Sequence, residues 1–293
     1  MTGSDLETTS QTERHAPGTR TLPNLMVIGA MKCGTTSLHQ WLNQHPNIAM
    51  SRVKEINFFL ETHWDKGLHW YESQFDGRAE IRGESSTSYT KYPQRSGVAG
   101  RMHSVIPGAK LIYILRDPIE RTVSHYLHAY QRSREKRSLS DAVRSRSDNP
   151  YVDPSRYHMQ LEQYLEYYPL SQILILTTED LRENPQLTLR QAVDFVGVTP
   201  FRFEVLSKAN VSERRGRNNP LGRLAETYRA KRIGRHLPRP AVELAKFVNA
   251  RLSRKVERPA LDSEIRHELT ELLRDDVAHL RALTGKAFEK WSL

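Results

Sequence analysis

VIGAMKCGTTSL, residues 27–38, is the stretch on which the reading of the whole chain turns. The apolar run Asn24–Gly29 (NLMVIG) closes on a glycine and predicts a short buried strand. Thr35–Asn43 follows with Leu38, Trp41 and Leu42 at helical spacing. Between strand and helix, Gly29 and Gly34 have the G-x-x-x-x-G separation of a phosphate-binding loop. Glycines there let successive N–H groups converge on one anion, and the helix N-terminus adds its partial positive charge. Thr35, Thr36 and Ser37 add hydroxyl donors. A nucleotidase also needs a lysine directly after the second glycine and a hydroxyl that holds Mg²⁺. That position is Thr35, and the lysine lies inside the loop at Lys32. The loop is therefore suited to a phosphate or sulfate group, and an ordinary ATPase or kinase is disfavoured.

Further along, Lys110–Leu115 (KLIYIL) and Ile173–Thr177 (ILILT) read as two more buried strands. The first runs into a helix carrying Val123, Tyr126, Leu127 and Tyr130. Leu187–Val196 reads as an amphipathic helix, Asn57–Leu60 as a short apolar piece after a charged turn, and Gly83–Tyr89 (GESSTSY) as a hydroxyl-rich polar stretch. Ser263–Leu293 reads as a helix ending near Gly285. Apolar strands alternating with amphipathic helices predict an α/β fold, three layers with a central parallel sheet flanked by helices. Ligands of such sheets bind outside the carboxyl ends of the strands, here at 29–37, 116–124 and 177–180. Arg116 stands at one of those ends with a planar fork suited to phosphate. Pro118 suits the first turn of the helix that follows, and Ser124 lies two turns on.

The chain has 293 residues, enough for one such core with a helical appendage, and a net charge of +10. That balance favours anionic partners, among them nucleotides, sulfated or phosphorylated acceptors, nucleic acid or a membrane surface. Cys33 is the one cysteine, so no intrachain disulfide can form. Residues 1–22 are polar and read as a disordered tail preceding one domain, 23–293, expected in the cytoplasm. From Arg214 to Arg258 there are 14 Lys/Arg against three Asp/Glu, within which Leu244, Val248, Leu252 and Val256 lie four apart. That pattern predicts a basic helical segment able to associate with an anionic membrane. Stacking aromatics and nucleic-acid motifs do not accompany it, so a specific nucleic-acid partner is not expected. His103, His125 and His128 form no metal-ligand spacing, and no metal is expected.

The loop, a strand followed by G-x-x-K-[SC]-G-T-[ST]-[SAT]-L, resembles the 5′-phosphosulfate loop of the sulfotransferases that use 3′-phosphoadenosine 5′-phosphosulfate. LIYILRDPIERTVSHY (111–126) is similar to the same family's 3′-phosphate motif. HPNIAMSRVKEINFF (45–59), RYHMQLEQYLEYYPLSQILILTTEDLRENP (156–185) and LRALTGKAFEKW (280–291) extend the resemblance over about residues 24–293. Its flavour is that of the heparan-sulfate-type and bacterial carbohydrate enzymes.

The resemblance implies in-line transfer of a sulfuryl group to a hydroxyl or amino group of a sugar, glycolipid or secondary metabolite, with 3′,5′-adenosine bisphosphate as product. It implies donor contacts from Lys32, Cys33, Gly34, Thr35, Thr36, Ser37, Arg116 and Ser124. Lys32 would stabilise the leaving phosphate and Glu55 would act as the base. RGRNNP (215–220) resembles the family loop that closes over the donor, with Arg215, Gly216 and Arg217 as its contacts. Two departures stand out. Asn57 replaces a frequent histidine, and Ser85 replaces a lysine that follows the glutamate of GESSTSY, so that either Lys91 substitutes for it or the acceptor is less anionic. The alternatives are a non-catalytic nucleotide-binding protein and a P-loop-type kinase.

Overall fold

The computed structural model describes residues 20–144, 148–205 and 261–293. Five strands, β1 (Leu25–Gly29), β2 (Ile48–Met50), β3 (Ile81–Ser85), β4 (Lys110–Leu115) and β5 (Ile173–Thr177), form one sheet in the order β2-β3-β1-β4-β5. Every pairing is parallel. The described helices are α1 (Thr35–Leu42), α2 (Glu61–Trp64), α3 (Gly67–Glu72), α4 (Val98–Val105), α5 (Pro118–Gln131), α6 (Leu139–Arg144), α7 (Tyr157–Leu165), α8 (Thr178–Glu183), α9 (Pro185–Val196) and α10 (Ser263–Thr284). Parallel strands are covered on both faces. Accordingly every residue of β1 is buried, as is all of β4 after Lys110. Helices α1 and α9 pack on each other, while α4, α7, α10 and α5 form a contiguous second layer.

The three strands are present, as are the helices read from the sequence within the described residues. Leu38, Trp41 and Leu42 are buried on α1, and Val123, Tyr126 and Leu127 on α5. The last helix stops at Thr284, with Gly285 left-handed at φ 64°, the conformation that glycine takes most readily. The chain then returns along the body. Phe288 stacks on Trp291 at 4.2 Å, and Trp291 lies against Tyr157.

Two strands are additions to the sequence reading. β2 has three residues, too few for a pattern. β3 is IRGES, part of which reads as a polar stretch; its Glu84 and Ser85 are fully buried and hydrogen-bonded. The piece Asn57–Leu60 forms no strand. Phe58 and Phe59 drop into an aromatic cluster, Phe58 stacked on Tyr71 at 4.1 Å. The tail 1–19 and the basic segment 214–258 lie outside the described residues. Among the described residues no helix is long and apolar enough to cross a membrane.

The chain leaves β1 towards β2 at one edge of the sheet and leaves β4 towards β5 at the other. The crevice between the carboxyl ends of β1 and β4 is therefore the topological switch point, where ligands of such sheets bind.

Candidate active site

The loop after β1 lies on one side of that crevice. Gly34 caps α1 in the left-handed region (φ 87°), and no side chain caps that helix end. The first-turn N–H groups of a helix have no partner within it, so this terminus is a ready seat for an anion. Lys32 is itself left-handed (φ 76°), a costly conformation for a residue with a Cβ. Thr35 and Ser37 are buried and Thr36 half-buried in the first turn. Cys33 is turned away from the crevice. Its thiol is buried 3.8 Å from the Tyr157 hydroxyl, and its N–H is taken by the Ala30 carbonyl. Burial pushes the thiol up to about 11, so it stays protonated. The expected donor contact from Cys33 is thus not made by its side chain.

Across the crevice, Arg116 follows β4 and pairs with Glu120 at 2.9 Å, one turn into α5. The Tyr157 hydroxyl donates to the Arg116 carbonyl at 2.8 Å. Asp117 caps α5, accepting from the Glu120 N–H at 2.9 Å, and its other oxygen accepts from the Ser292 N–H at 2.6 Å. The returning C-terminal segment is thereby tied to this motif. Ser124 is half-buried on α5. Arg121, quoted within the motif but given no role in the sequence reading, is fully buried and donates to Ser155 Oγ at 2.5 Å and to the Tyr151 carbonyl. These residues, with the α1 terminus, could hold a phosphate or sulfate at each end of a nucleotide.

Glu55 comes from a different kind of structure. The loop after β2 carries two non-glycine residues in the left-handed region, Glu55 (φ 62°) and Asn57 (φ 57°). It is fastened to the end of β3. The Glu55 N–H donates to the Ser85 carbonyl at 2.9 Å, and the Asn57 N–H to Ser86 Oγ at 3.0 Å. The Glu55 carboxylate accepts the Thr87 N–H at 2.8 Å and its hydroxyl at 3.2 Å, and it pairs with Lys54. It remains one-third exposed, open to an incoming group. Since β3 adjoins β1, this carboxylate stands beside the strand end that bears the phosphate loop.

Lys91 lies within electrostatic reach of Glu55 and Arg121, and burial lowers its ammonium to about 8. His39 bonds Ser85 Oγ at 3.0 Å; burial, then the neighbouring Lys54, lowers it to about 4. Trp64 is partly exposed on the aromatic cluster, whereas Tyr71 is core and Trp70 and Phe75 pack against it. Ser86 and Thr87 were not assigned from sequence. Their partners lie about thirty residues upstream, and only the density of hydroxyls in GESSTSY signalled them. Arg215, Gly216 and Arg217 lie outside the described residues. Among the described residues no group of three His, Cys, Asp or Glu side chains is arranged to hold a metal ion.

The family model described as "Sulfotransferase domain" matches residues 22–233. The human "Bifunctional heparan sulfate N-deacetylase/N-sulfotransferase 2" is 30% identical over 204 residues, 61% of this chain and 22% of that protein. The mouse "Bifunctional heparan sulfate N-deacetylase/N-sulfotransferase 4" is 31% identical over 61% of this chain and 23% of its own length. The chain thus spans under a quarter of either relative. Among solved structures, a sulfotransferase from Alicyclobacillus acidocaldarius superposes with a TM-score of 0.65 at 23% identity, covering 92% of this chain and 99% of that one.

Proposed function

Because the chain belongs to the sulfotransferase domain family, we propose that it moves a sulfuryl group from 3′-phosphoadenosine 5′-phosphosulfate to a hydroxyl or amino group of a sugar, glycolipid or secondary-metabolite acceptor. One observation carries the assignment of roles. A phosphate loop with an internal lysine and a carboxylate held in left-handed backbone stand at the ends of adjoining strands, β1 and β3.

The donor, when bound, supplies an electrophilic sulfuryl group and a phosphate leaving group. Gly34 and the N-terminus of α1, with Thr35, Thr36 and Ser37, would hold its 5′ end, and Arg116 and Ser124 its 3′-phosphate. Lys32 would offset the negative charge that collects on the leaving phosphate. Glu55 Oε2, oriented by the Thr87 N–H, would take the proton from the attacking hydroxyl or amine. Fixing both sides at neighbouring strand ends supplies the positioning that in-line transfer requires. No metal is assigned a part.

The relatives' printed names favour a glycan acceptor. The basic segment 214–258 supports a lipid-linked acceptor at an anionic surface; failure to co-sediment with anionic vesicles would remove that part. A cytoplasmic location is proposed from the single cysteine, which suits a reducing compartment; cell fractionation tests it.

The test of the reaction class is thermal unfolding with 3′,5′-adenosine bisphosphate, with ATP–Mg²⁺ and with 5′-AMP. A ligand that binds only the folded chain at a hundredfold its Kd stabilises it by about 2.7 kcal/mol. Stabilisation by the bisphosphate alone is expected. Stabilisation by ATP–Mg²⁺ alone would overturn the reading. Labelled donor offered to glucosamine oligosaccharides and to the same oligosaccharides with their amines acetylated then separates N- from O-transfer.

A further inference from the structure

We propose that Ser86 and Tyr89, whose hydroxyls Glu84 orients, are positioning residues that hold the Glu55 loop in its working conformation. The inference rests on the reading of Glu55 as the base.

Glu84 lies in β3, between β2 and β1, with no exposure at all. No cation pairs with it among the described residues. Three hydroxyls reach it instead. Ser86 Oγ donates to Oε1 at 2.5 Å, Tyr89 to Oε1 at 2.7 Å, and Tyr71 to Oε2. A buried carboxylate without a counter-ion is costly, and an apolar residue would fill a core strand position more cheaply. The bonds beyond the hydroxyls give it a purpose.

An ionised carboxylate only accepts hydrogen bonds, whereas a hydroxyl has one proton and two lone pairs. Burial raises Glu84, and the hydrogen bonds from Ser86, Tyr71 and Tyr89 oppose that shift; accepting the protons of Ser86 and Tyr89, its carboxylate turns the lone pairs of both towards the loop. The Asn57 N–H lands on Ser86 Oγ at 3.0 Å, and the Phe59 N–H on the Tyr89 oxygen at 3.3 Å. Burial and the adjacent carboxylate hold both Tyr71 and Tyr89 well above the usual phenol range, so they keep their protons to donate.

The loop needs this support. Glu55 and Asn57 both sit in the left-handed region, which asparagine tolerates but which for glutamate is strained and persists only where surroundings over-determine it. Ser85, Ser86 and Thr87 bind, in turn, the backbone of Glu55, the backbone of Asn57 and the carboxylate of Glu55. Removing the Ser86 hydroxyl takes away the acceptor of the Asn57 N–H, the middle of the three fastenings, without touching the phosphate loop's own residues.

The test uses Ser86→Ala in the full chain, alone and combined with Glu55→Gln. Two quantities are read. One is amide exchange of the peptide spanning 56–59. The other is single-turnover release of labelled sulfate from 3′-phosphoadenosine 5′-phosphosulfate with water as acceptor. Faster exchange at 56–59 is expected, with a rate about ten- to a hundredfold lower, the scale of a misplaced catalytic group. Affinity for 3′,5′-adenosine bisphosphate should stay within twofold, and the rate should not fall further in the Glu55→Gln background.

An equal loss in both backgrounds, an unchanged rate in the single variant, or a matching loss of bisphosphate affinity would each overturn the proposal. Tyr89→Phe, which removes the second hydroxyl, is read in the same way if Ser86→Ala does not fold; misfolding of both also overturns it in favour of a purely structural role. If Glu55→Gln itself keeps the full rate, the base assignment falls. If Glu55→Gln loses the rate and Ser86→Ala does not, only the positioning role falls.

Discussion

The two sides of the proposed site, one for the donor and one for the base, are built by different means. The donor side uses regular elements: buried strands β1 and β4 end, a glycine or an arginine follows, and helices α1 and α5 begin. The anion-binding groups proposed for it are backbone N–H groups and residues at fixed offsets from strand ends. The base side has no regular element of its own. Glu55 is placed by side chains and backbone of residues 85–87, about thirty positions away in sequence. Backbone geometry can be reused wherever a strand meets a helix, whereas a side-chain-fastened loop must be specified bond by bond. The donor side should therefore tolerate loss of single side chains better than the base side does.

Glu55→Gln breaks the comparison at its sharpest point. It keeps size and hydrogen-bonding shape but cannot take a proton, so turnover should fall by about 10²–10⁴-fold. Bisphosphate-induced stabilisation should be unchanged, because no donor group is removed. Equal loss of both would mean that the two sides are not separate.

Arg116→Ala tests the other side. Hydrogen bonds to charged groups are worth about 1.5–3 kcal/mol each, so bisphosphate affinity should weaken by about ten- to a hundredfold while 5′-AMP binding barely moves. Calorimetry with the two nucleotides reads this difference directly. A similar loss for both would place Arg116 away from the 3′-phosphate.

Gly29→Ala probes the scaffold behind both sides. A Cβ there would lie 2.0 Å from Thr90 Oγ1 and 3.0 Å from Tyr113, so β1, β4 and the Thr87–Thr90 turn must shift. A destabilisation of about 1–3 kcal/mol in urea unfolding is expected for such overpacking.

The smallest effect is one of pH. His39 is lowered to about 4 in the folded chain, against 6.5 when exposed. Between these values the unfolded chain binds more protons, so this group's contribution to stability rises with pH across that window and is lost as pH falls through it. His39→Asn should flatten the dependence of the unfolding midpoint between pH 4 and 6.5.

Legibility followed the same division. β1, β4 and β5 announce themselves as apolar runs closed by glycine or polar residues, and the displaced lysine is visible in twelve letters. β3 does not, because Glu84 and Ser85 are polar residues buried by virtue of partners on α3, on α1 and in the following turn. Sequence periodicity records burial of apolar groups and is blind to burial of satisfied polar ones. Cys33 shows the converse limit. Its place in the motif suggested donor contact, but the turn of the loop sends its side chain into the core. Glu55 itself was reached through resemblance, since nothing local marks its left-handed backbone.

That backbone has a consequence for how the protein would respond to selection. Glycine or asparagine relaxes a left-handed position that glutamate occupies under strain. A library varied at position 55 and sorted only for heat resistance should therefore enrich Glu55→Gly and Glu55→Asn, and discard the proposed base with them. The same library sorted for turnover should hold glutamate at that position. Fitness for endurance and fitness for chemistry pull against each other at one residue, and the separation of the two enriched pools measures how hard.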